Sequence, residues 1–293
     1  MAKVGKFKNE QARIDYLRAY DALTTLYEVS PPSLDVTTAF GSTRVYRFGS
    51  GDGTPLVLIH PITGTGLTWK PFIQALSRDR VVYALDTIGT PGRSVQSEPI
   101  TDVADYGTWF EDVLSALGLD RVHLFGYSEG SWHAGLIGSS KPQLLASLTV
   151  GEPGVWLGKI PKGLLLRMIW IGLRPTEENF EKFNAWMSPG VELHPLEKAL
   201  VRASLGYRRR TPWPKPFTDR ELEAITTPTL AFFGAETVIG DPNAAAIRAT
   251  THIPDAEVEI FPGLGHGALW QDQEATIGRL LSFIGQHEVA AHT

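Results

Sequence analysis

Short apolar runs of strand length recur along this chain and alternate with segments whose apolar residues have helical spacing. The runs lie at residues 56–59, 81–85, 122–125, 148–150, 230–233 and 258–261. Between the second and third runs, helical spacing joins Tyr106, Phe110, Val113 and Leu117. Uniformly apolar strands are typical of parallel sheets, because helices cover both faces of such a sheet. The pattern therefore predicts an α/β fold with a mostly parallel, doubly wound sheet.

The segment before the first run contains two other patterns. Tyrosine and leucine residues at positions 16, 20, 23 and 27 have helical spacing, which predicts an amphipathic helix over residues 8–28. Pro31 and Pro32 end that helix. Residues 34–39 and 43–48 then predict a β-hairpin that turns at Gly41.

The alternation stops after residue 150 and resumes at residue 230. The intervening segment is rich in proline and holds four of the eight tryptophans, Trp156, Trp170, Trp186 and Trp213. Closely spaced prolines favour short helices joined by stiff turns. We interpret residues 153–225 as a helical cap inserted into a core formed by residues 1–152 and 226–293. The alternative is a helical excursion that takes no part in ligand binding.

Charge and composition narrow the class of protein. The 293 residues carry a formal net charge of -5, and the cluster Arg208, Arg209 and Arg210 is too short for a phosphate-binding stripe. We read that cluster as solvated surface and expect no nucleic-acid partner. The chain has no cysteine, which excludes disulfides, thiolate nucleophiles and Cys-based zinc sites.

Two further features concern location. Residues 1–10 are polar and lack the apolar segment of a signal peptide. The longest apolar stretch, residues 163–173, is interrupted by Arg167 and is too short to span a bilayer. We therefore expect a cytoplasmic protein with no membrane span.

The strongest chemical signal is Gly126-Tyr127-Ser128-Glu129-Gly130, between a predicted strand and a predicted helix. In that context G-x-S-x-G is the nucleophile elbow, a sharp turn that exposes the serine hydroxyl at the edge of a sheet. Glycines flank the serine because backbone segments approach too closely for side chains. Ser128 is therefore the predicted nucleophile, and a structural serine in a chance match is the alternative.

A serine hydroxyl needs a neighbouring base to become an effective nucleophile. His266 lies in a glycine-rich segment, residues 263–267, directly after the last strand-like run. A loop at the carboxyl edge of an open α/β sheet can reach the elbow. His123, inside a predicted strand, and His133, on the helix after the elbow, fit this role less well. His266 is the predicted base, with a structural histidine as the alternative.

The order of elbow serine, cap and late histidine resembles the α/β-hydrolase superfamily over residues 34–284. Residues 58–64 resemble the His-Gly loop of that family, and residues 86–94 resemble its D-x-x-G-x-G-x-S segment. The N-terminal helix and hairpin resemble a bacterial carboxylesterase-like branch. The resemblance implies an oxyanion hole formed by the backbone N–H groups of Ile62 and Glu129. Pro61 replaces the usual glycine and has no N–H, but the donor is expected from the residue after it.

The acid of a serine–histidine–acid triad orients the histidine and stabilises its charged form. Most relatives carry it after the strand equivalent to residues 230–233, where this chain has Thr237. Asp241 is a nearby alternative, but its position is that of a helix cap. Glu152 follows the strand-like run after the elbow, where some haloalkane dehalogenases carry their acid. Glu152 is the predicted acid, with a surface carboxylate as the alternative, and Ser128 argues against dehalogenation because those enzymes use an aspartate nucleophile.

The resemblance implies a serine hydrolase that cleaves an ester or thioester through an acyl-enzyme. The four tryptophans and the apolar residues 164–169 indicate either a pocket for a small apolar acyl substrate or the core of the cap. A lyase or cyclase of secondary metabolism, and a receptor or pseudoenzyme with little turnover, stay open because fold alone does not determine function.

No cofactor or metal is expected. The segment Gly64-Thr65-Gly66 lacks the third glycine of a dinucleotide-binding loop, because Trp69 occupies that position. We expect a monomer or homodimer.

Overall fold

The computed structural model of the chain describes residues 3–102, 104–174 and 176–289. In these ranges the strands are β1 (Lys6–Phe7), β2 (Ser33–Thr38), β3 (Gly41–Phe48), β4 (Gly53–Ile59), β5 (Arg80–Leu85), β6 (Val95–Gln96), β7 (Val122–Tyr127), β8 (Leu145–Gly151), β9 (Tyr207–Arg208), β10 (Thr229–Gly234) and β11 (Ala256–Phe261).

The α-helices of the same ranges are α1 (Glu10–Thr24), α2 (Lys70–Leu76), α3 (Asp105–Leu117), α4 (Glu129–Ser140), α5 (Gly154–Leu157), α6 (Lys162–Leu173), α7 (Glu177–Met187), α8 (Pro195–Ser204), α9 (Asp219–Glu223), α10 (Pro242–His252), α11 (Ala268–Gln271) and α12 (Gln273–Gln286). Short 3₁₀ helices occupy Gly66–Trp69 and Pro142–Leu144. None of the helices in the described ranges combines the length and apolar character that crossing a bilayer requires.

The main sheet has the strand order β11-β10-β8-β7-β4-β5-β3-β2. The six strands from β11 to β5 are parallel, whereas β3 pairs antiparallel with β5, β2 and β6. Each of the six apolar runs falls in one of those parallel strands. The predicted doubly wound α/β sheet is therefore confirmed, and the predicted hairpin corresponds to β2 and β3.

Successive residues of the central strand β4 point to opposite faces of the sheet and belong to two different apolar clusters. Val57 and Ile59 belong to the cluster that includes side chains of α3, α4 and α10. Leu56 and Leu58 belong to the cluster that includes side chains of α1, α2 and α12. Burial on both faces explains why the sequence of this strand has no polar alternation.

The N-terminal helix is shorter than the predicted range of residues 8–28. It begins after Asn9, whose side-chain oxygen accepts a hydrogen bond of 2.8 Å from the Ala12 N–H and so caps the helix. At its other end the N–H groups of Leu26 and Tyr27 bond to carbonyls only three residues earlier. The chain tightens there into turns, so the apolar spacing continues past the end of the α-helix.

In the described part of the segment interpreted as a cap, between β8 and β10, lie the five helices α5 to α9. α8 packs against α1, and β9 pairs antiparallel with β1. The N-terminal residues therefore contact the segment between β8 and β10, which the sequence analysis did not foresee. The division into core and cap stays a prediction.

A buried carboxyl group ties α1 to the sheet. Asp86, which follows β5, accepts hydrogen bonds from the Tyr20 hydroxyl (2.8 Å), the Gly66 N–H (2.8 Å) and the Arg93 N–H (2.7 Å). Burial raises the pKa of Tyr20 well above its usual value, so its hydroxyl stays protonated as a donor. Tyr16 lies one turn earlier and is equally buried, but its hydroxyl has no hydrogen-bond partner among the described residues.

These two tyrosines form a matched pair for a stability measurement. Tyr20→Phe removes a donor from a buried carboxyl group, so we expect it to lower the free energy of unfolding by about 1–3 kcal/mol. Tyr16→Phe removes only an unpaired hydroxyl, so we expect it to be neutral or stabilising. Urea denaturation of the two variants and the wild type measures both effects. Equal losses in the two variants would contradict this account of the network.

Candidate active site

Ser128 lies in the turn between β7 and α4, with φ 55° and ψ -116°. A positive φ is uncommon for a residue with a side chain and marks local strain. The two flanking glycines permit the close backbone contacts of this turn. A Cβ at Gly126 would lie 2.1 Å from the Gly130 carbonyl oxygen, and a Cβ at Gly130 would lie 2.1 Å from the Ile59 carbonyl oxygen. The geometry is that of a nucleophile elbow.

The structure brings Ser128, His266 and Glu152 together. The distance from Ser128 Oγ to His266 Nε2 is 3.1 Å, and the distance from His266 Nδ1 to Glu152 Oε2 is also 3.1 Å. The imidazole and the carboxylate are buried. A serine hydroxyl, an imidazole and a carboxylate connected in this order form the arrangement of a catalytic triad.

Glu152 follows β8 and has a φ of 54°. Its Oε1 accepts a hydrogen bond of 2.6 Å from the Gly234 N–H, at the end of β10. Its Oε2 accepts one of 2.5 Å from the Thr237 hydroxyl, in addition to the bond from His266. Thr237 thus occupies the position where the resemblance places the acid and donates instead to the Glu152 carboxylate, which follows the neighbouring strand. Three donors satisfy a carboxylate that burial alone would destabilise.

Asp241, the alternative acid, bonds to the start of α10. Its Oδ1 accepts hydrogen bonds from the N–H groups of Asn243 (3.0 Å) and Ala244 (3.1 Å) at the start of α10. This is the N-cap geometry expected from its position before the helix. The structure therefore places Glu152, and not Asp241, against the imidazole.

The four tryptophans, expected to line a substrate pocket or to form the core of the cap, lie in different surroundings, and the substrate pocket stays a prediction. Trp156 is fully buried with its ring 4.7 Å from that of Phe217, so it belongs to the core. Trp170 and Trp213 are exposed, and Trp186 pairs with another ring of its own helix. A cavity of about 330 Å³ between α7 and α8 is lined by none of the four. Composition could not show which way each ring points.

One of the two predicted oxyanion donors lies in the elbow itself and the other in the loop after β4. Glu129 is the first residue of α4, so its N–H is free of the helix ladder. Ile62 lies in the loop after β4, next to Thr63, which has a φ of 61°. His60 fixes that loop, because its Nδ1 donates to the Pro61 carbonyl (2.8 Å) and its Nε2 accepts from the Thr87 N–H (3.1 Å). Burial lowers the pKa of His60, which favours this neutral form. The oxyanion roles stay predictions.

The side chain of Glu129 forms a buried ion pair with Arg209 that the sequence analysis missed. Arg209 also donates to the Thr211 hydroxyl (2.6 Å) and the Pro212 carbonyl (2.8 Å), and its guanidinium lies 4.7 Å from the ring centre of Trp213. The reading of all three arginines as solvated surface was therefore wrong for this one. Side chains alternate in an extended segment, so the middle arginine points the opposite way from its exposed neighbours.

Two further side chains position the loop that carries His266. The Tyr127 hydroxyl donates to the His266 carbonyl (2.7 Å). The Gln271 amide accepts from the Gly265 N–H (2.8 Å) and donates to the Pro189 carbonyl (2.7 Å), which lies beyond α7. Only the tertiary structure shows these contacts, because the elbow motif leaves the residue type at Tyr127 open and Gln271 belongs to no recognised motif.

Comparisons with known proteins place these observations in a family. The model of the family described as alpha/beta hydrolase matches residues 56–279. An uncharacterized carboxylesterase, nap, from Bacillus subtilis is 30% identical over 262 residues, which cover 86% of each chain. Carboxylesterase YbfK from the same organism is 27% identical and covers 95% of this chain and 96% of its own. The solved structure of a naproxen esterase from Bacillus subtilis has a TM-score of 0.85 and 27% identity, covering 94% of this chain and 99% of that one.

The assignment of the acid can be tested through the reactivity of Ser128 toward a fluorophosphonate. We expect Glu152→Gln to slow labelling by roughly four orders of magnitude, because a neutral amide neither orients nor stabilises the charged imidazole. Asp241→Asn should label at the wild-type rate and cost about 1 kcal/mol of stability or less. Mass spectrometry measures the labelling rates. Slow labelling of Asp241→Asn together with wild-type labelling of Glu152→Gln would contradict the assignment.

Proposed function

The chain belongs to the alpha/beta hydrolase family, and on that premise we propose that it is a carboxylesterase whose nucleophile is Ser128. Relatives named carboxylesterases cover most of this chain and most of their own length, so they support the proposal along the whole protein. The observation that carries it is the pair of 3.1 Å contacts that joins Ser128 to His266 and His266 to Glu152.

The proposed reaction has two halves. Ser128 Oγ attacks the ester carbonyl carbon while His266 Nε2 takes the hydroxyl proton, and the negative carboxylate of Glu152 stabilises the resulting imidazolium. The carbonyl oxygen becomes an oxyanion, toward which the N–H groups of Ile62 and Glu129 donate. The imidazolium then protonates the departing alkoxide, which leaves an acyl-enzyme. In the second half His266 deprotonates a water that attacks the acyl carbon. The bond between that carbon and Ser128 Oγ then breaks, the imidazolium returns its proton to Ser128 Oγ, and the carboxylic acid is released.

The proposed substrate is an ester with an apolar acyl group. A relative named naproxen esterase, which matches nearly the whole chain, supports such a substrate. Ile62 also supports an apolar acyl group. Its apolar side chain is partly exposed and lies in the loop that follows β4. The backbone carbonyls of Ile59 and His60, where that loop begins, lie against Gly130 of the elbow. We propose in addition that residues 153–225 act as the cap over this site, since α5 begins two residues after Glu152.

Replacement of the nucleophile tests the mechanism. Ser128→Ala should leave the fold intact and lower turnover of a p-nitrophenyl ester by roughly four to six orders of magnitude. The matched control is Ser139→Ala on α4, the helix that follows Ser128; among the described residues its hydroxyl bonds only to the Leu136 carbonyl, so turnover should stay near wild type. Wild-type turnover in Ser128→Ala would rule out the acyl-enzyme. A receptor or pseudoenzyme would show neither turnover nor labelling of Ser128 in the wild type.

A series of straight-chain p-nitrophenyl esters tests the acyl group. Each methylene that becomes buried is worth about 0.8 kcal/mol, so kcat/KM should rise by up to about fourfold per methylene from acetate upward. Wild-type initial rates below saturation measure this series, with a glycol-substituted ester of similar length as a polar control. A flat or falling series would exclude an apolar acyl site while leaving ester hydrolysis intact.

A further inference from the structure

We propose that α6 binds the surface of an anionic membrane and lies in the plane of that surface. The helix turns a row of large apolar side chains outward, and the exposed fractions are 50% for Leu165, 67% for Leu166, 51% for Ile169 and 77% for Leu173. Residues three and four apart lie on one side of a helix, so these four form a continuous stripe, here called the outer face of α6. The sequence analysis assigned this segment to a pocket or a core, and the structure places its outer face in neither.

The helix is held to the protein by its opposite side. Leu164 and Ile171 are buried beneath it, and the Arg167 guanidinium lies 4.3 Å from the ring centre of Trp186 on α7. The outer face therefore lies on the side of α6 that points away from these contacts. A contiguous exposed apolar face of this kind marks an interaction surface.

The charge on α6 and in the sequence directly beside its two ends indicates the kind of partner. Residues 153–176 contain four basic residues and no aspartate or glutamate, although the whole chain has a net charge of -5. All four basic side chains are exposed: Lys159, Lys162, Arg167 and Arg174. Apolar residues flanked by Lys and Arg on one helix are typical of helices that lie in the interface of anionic lipids. The partly exposed Trp170 fits this location, since tryptophan is enriched at membrane interfaces.

The same charges disfavour a second copy of this chain as the partner. A two-fold symmetric contact through the outer face would place this basic segment against itself. The helix has 12 residues and a length of about 18 Å, which is shorter than the roughly 30 Å hydrocarbon core. It can therefore lie on a bilayer but cannot cross one. This inference does not depend on the proposed esterase activity.

Co-sedimentation of the full chain with vesicles tests the proposal. We expect the wild type to sediment with phosphatidylcholine vesicles that contain phosphatidylglycerol, to bind pure phosphatidylcholine more weakly, and to be released as salt screens the basic residues. Ile169→Ser combined with Leu173→Ser should weaken binding to the anionic vesicles about tenfold or more, because two inserted side chains lose apolar area. Lys162→Glu combined with Arg174→Glu should remove the preference for anionic lipid.

The matched control is Ile247→Ser. Ile247 is 67% exposed on α10, like Leu166 on α6, so its loss should leave vesicle binding unchanged. Turnover of a water-soluble ester and the thermal midpoint check that each variant is folded, and they separate a failure here from a failure of the esterase proposal. Absence of wild-type sedimentation, equal binding to both kinds of vesicle, or an equal effect of Ile247→Ser would overturn the proposal. So would a dimer in analytical ultracentrifugation that only the α6 variants dissociate.

Discussion

The close approach of backbone segments at the elbow is the constraint on which the site depends. Neither Gly126 nor Gly130 has room for a Cβ, and Ser128 itself adopts a positive φ. The strand order places β8 beside β7 and β10 beside β8, with neighbouring strands about 4.8 Å apart. Groups that follow these strands therefore meet at one edge of the sheet. Glu152 reaches His266 from β8, the strand next to the one that leads to Ser128, because the sheet has this order.

The buried carboxylates at this edge of the sheet are paired with hydrogen-bond donors from several parts of the chain. Glu152 accepts bonds from the end of β10, from Thr237 and from His266. Glu129, directly after Ser128, is paired with Arg209, which lies in the segment between α8 and α9. Such pairs are weak evidence for stability, because desolvation offsets much of the attraction. Their effect is geometric, since each fixes one residue beside the serine relative to a distant part of the chain.

Much of the fold followed from the apolar pattern, because strands buried on both faces leave uniform runs that few other structures produce. The carboxyl edge of a parallel sheet also gave the sequence analysis a physical reason to place Glu152 near His266. The environments of Trp156 and Arg209 could not be read in this way. Which side of a cap helix or a short extended segment faces inward depends on contacts with residues far away in the sequence. The two-residue strands β1 and β9 are too short to leave any periodic signal.

On the proposed mechanism, with Glu152 as the acid and Thr237 at the usual place of the acid, the routes by which such a chain can evolve are limited. Thr237→Asp alone would restore an acid at the usual place, but it would set two carboxylates around one imidazole N–H. One of them would have to take up a proton or leave the site, because like charges in a buried space repel each other. Loss of Glu152 alone would leave the threonine hydroxyl facing an imidazole without a negative partner. Either single step passes through an impaired protein, so the acid can change strands only when both positions change together.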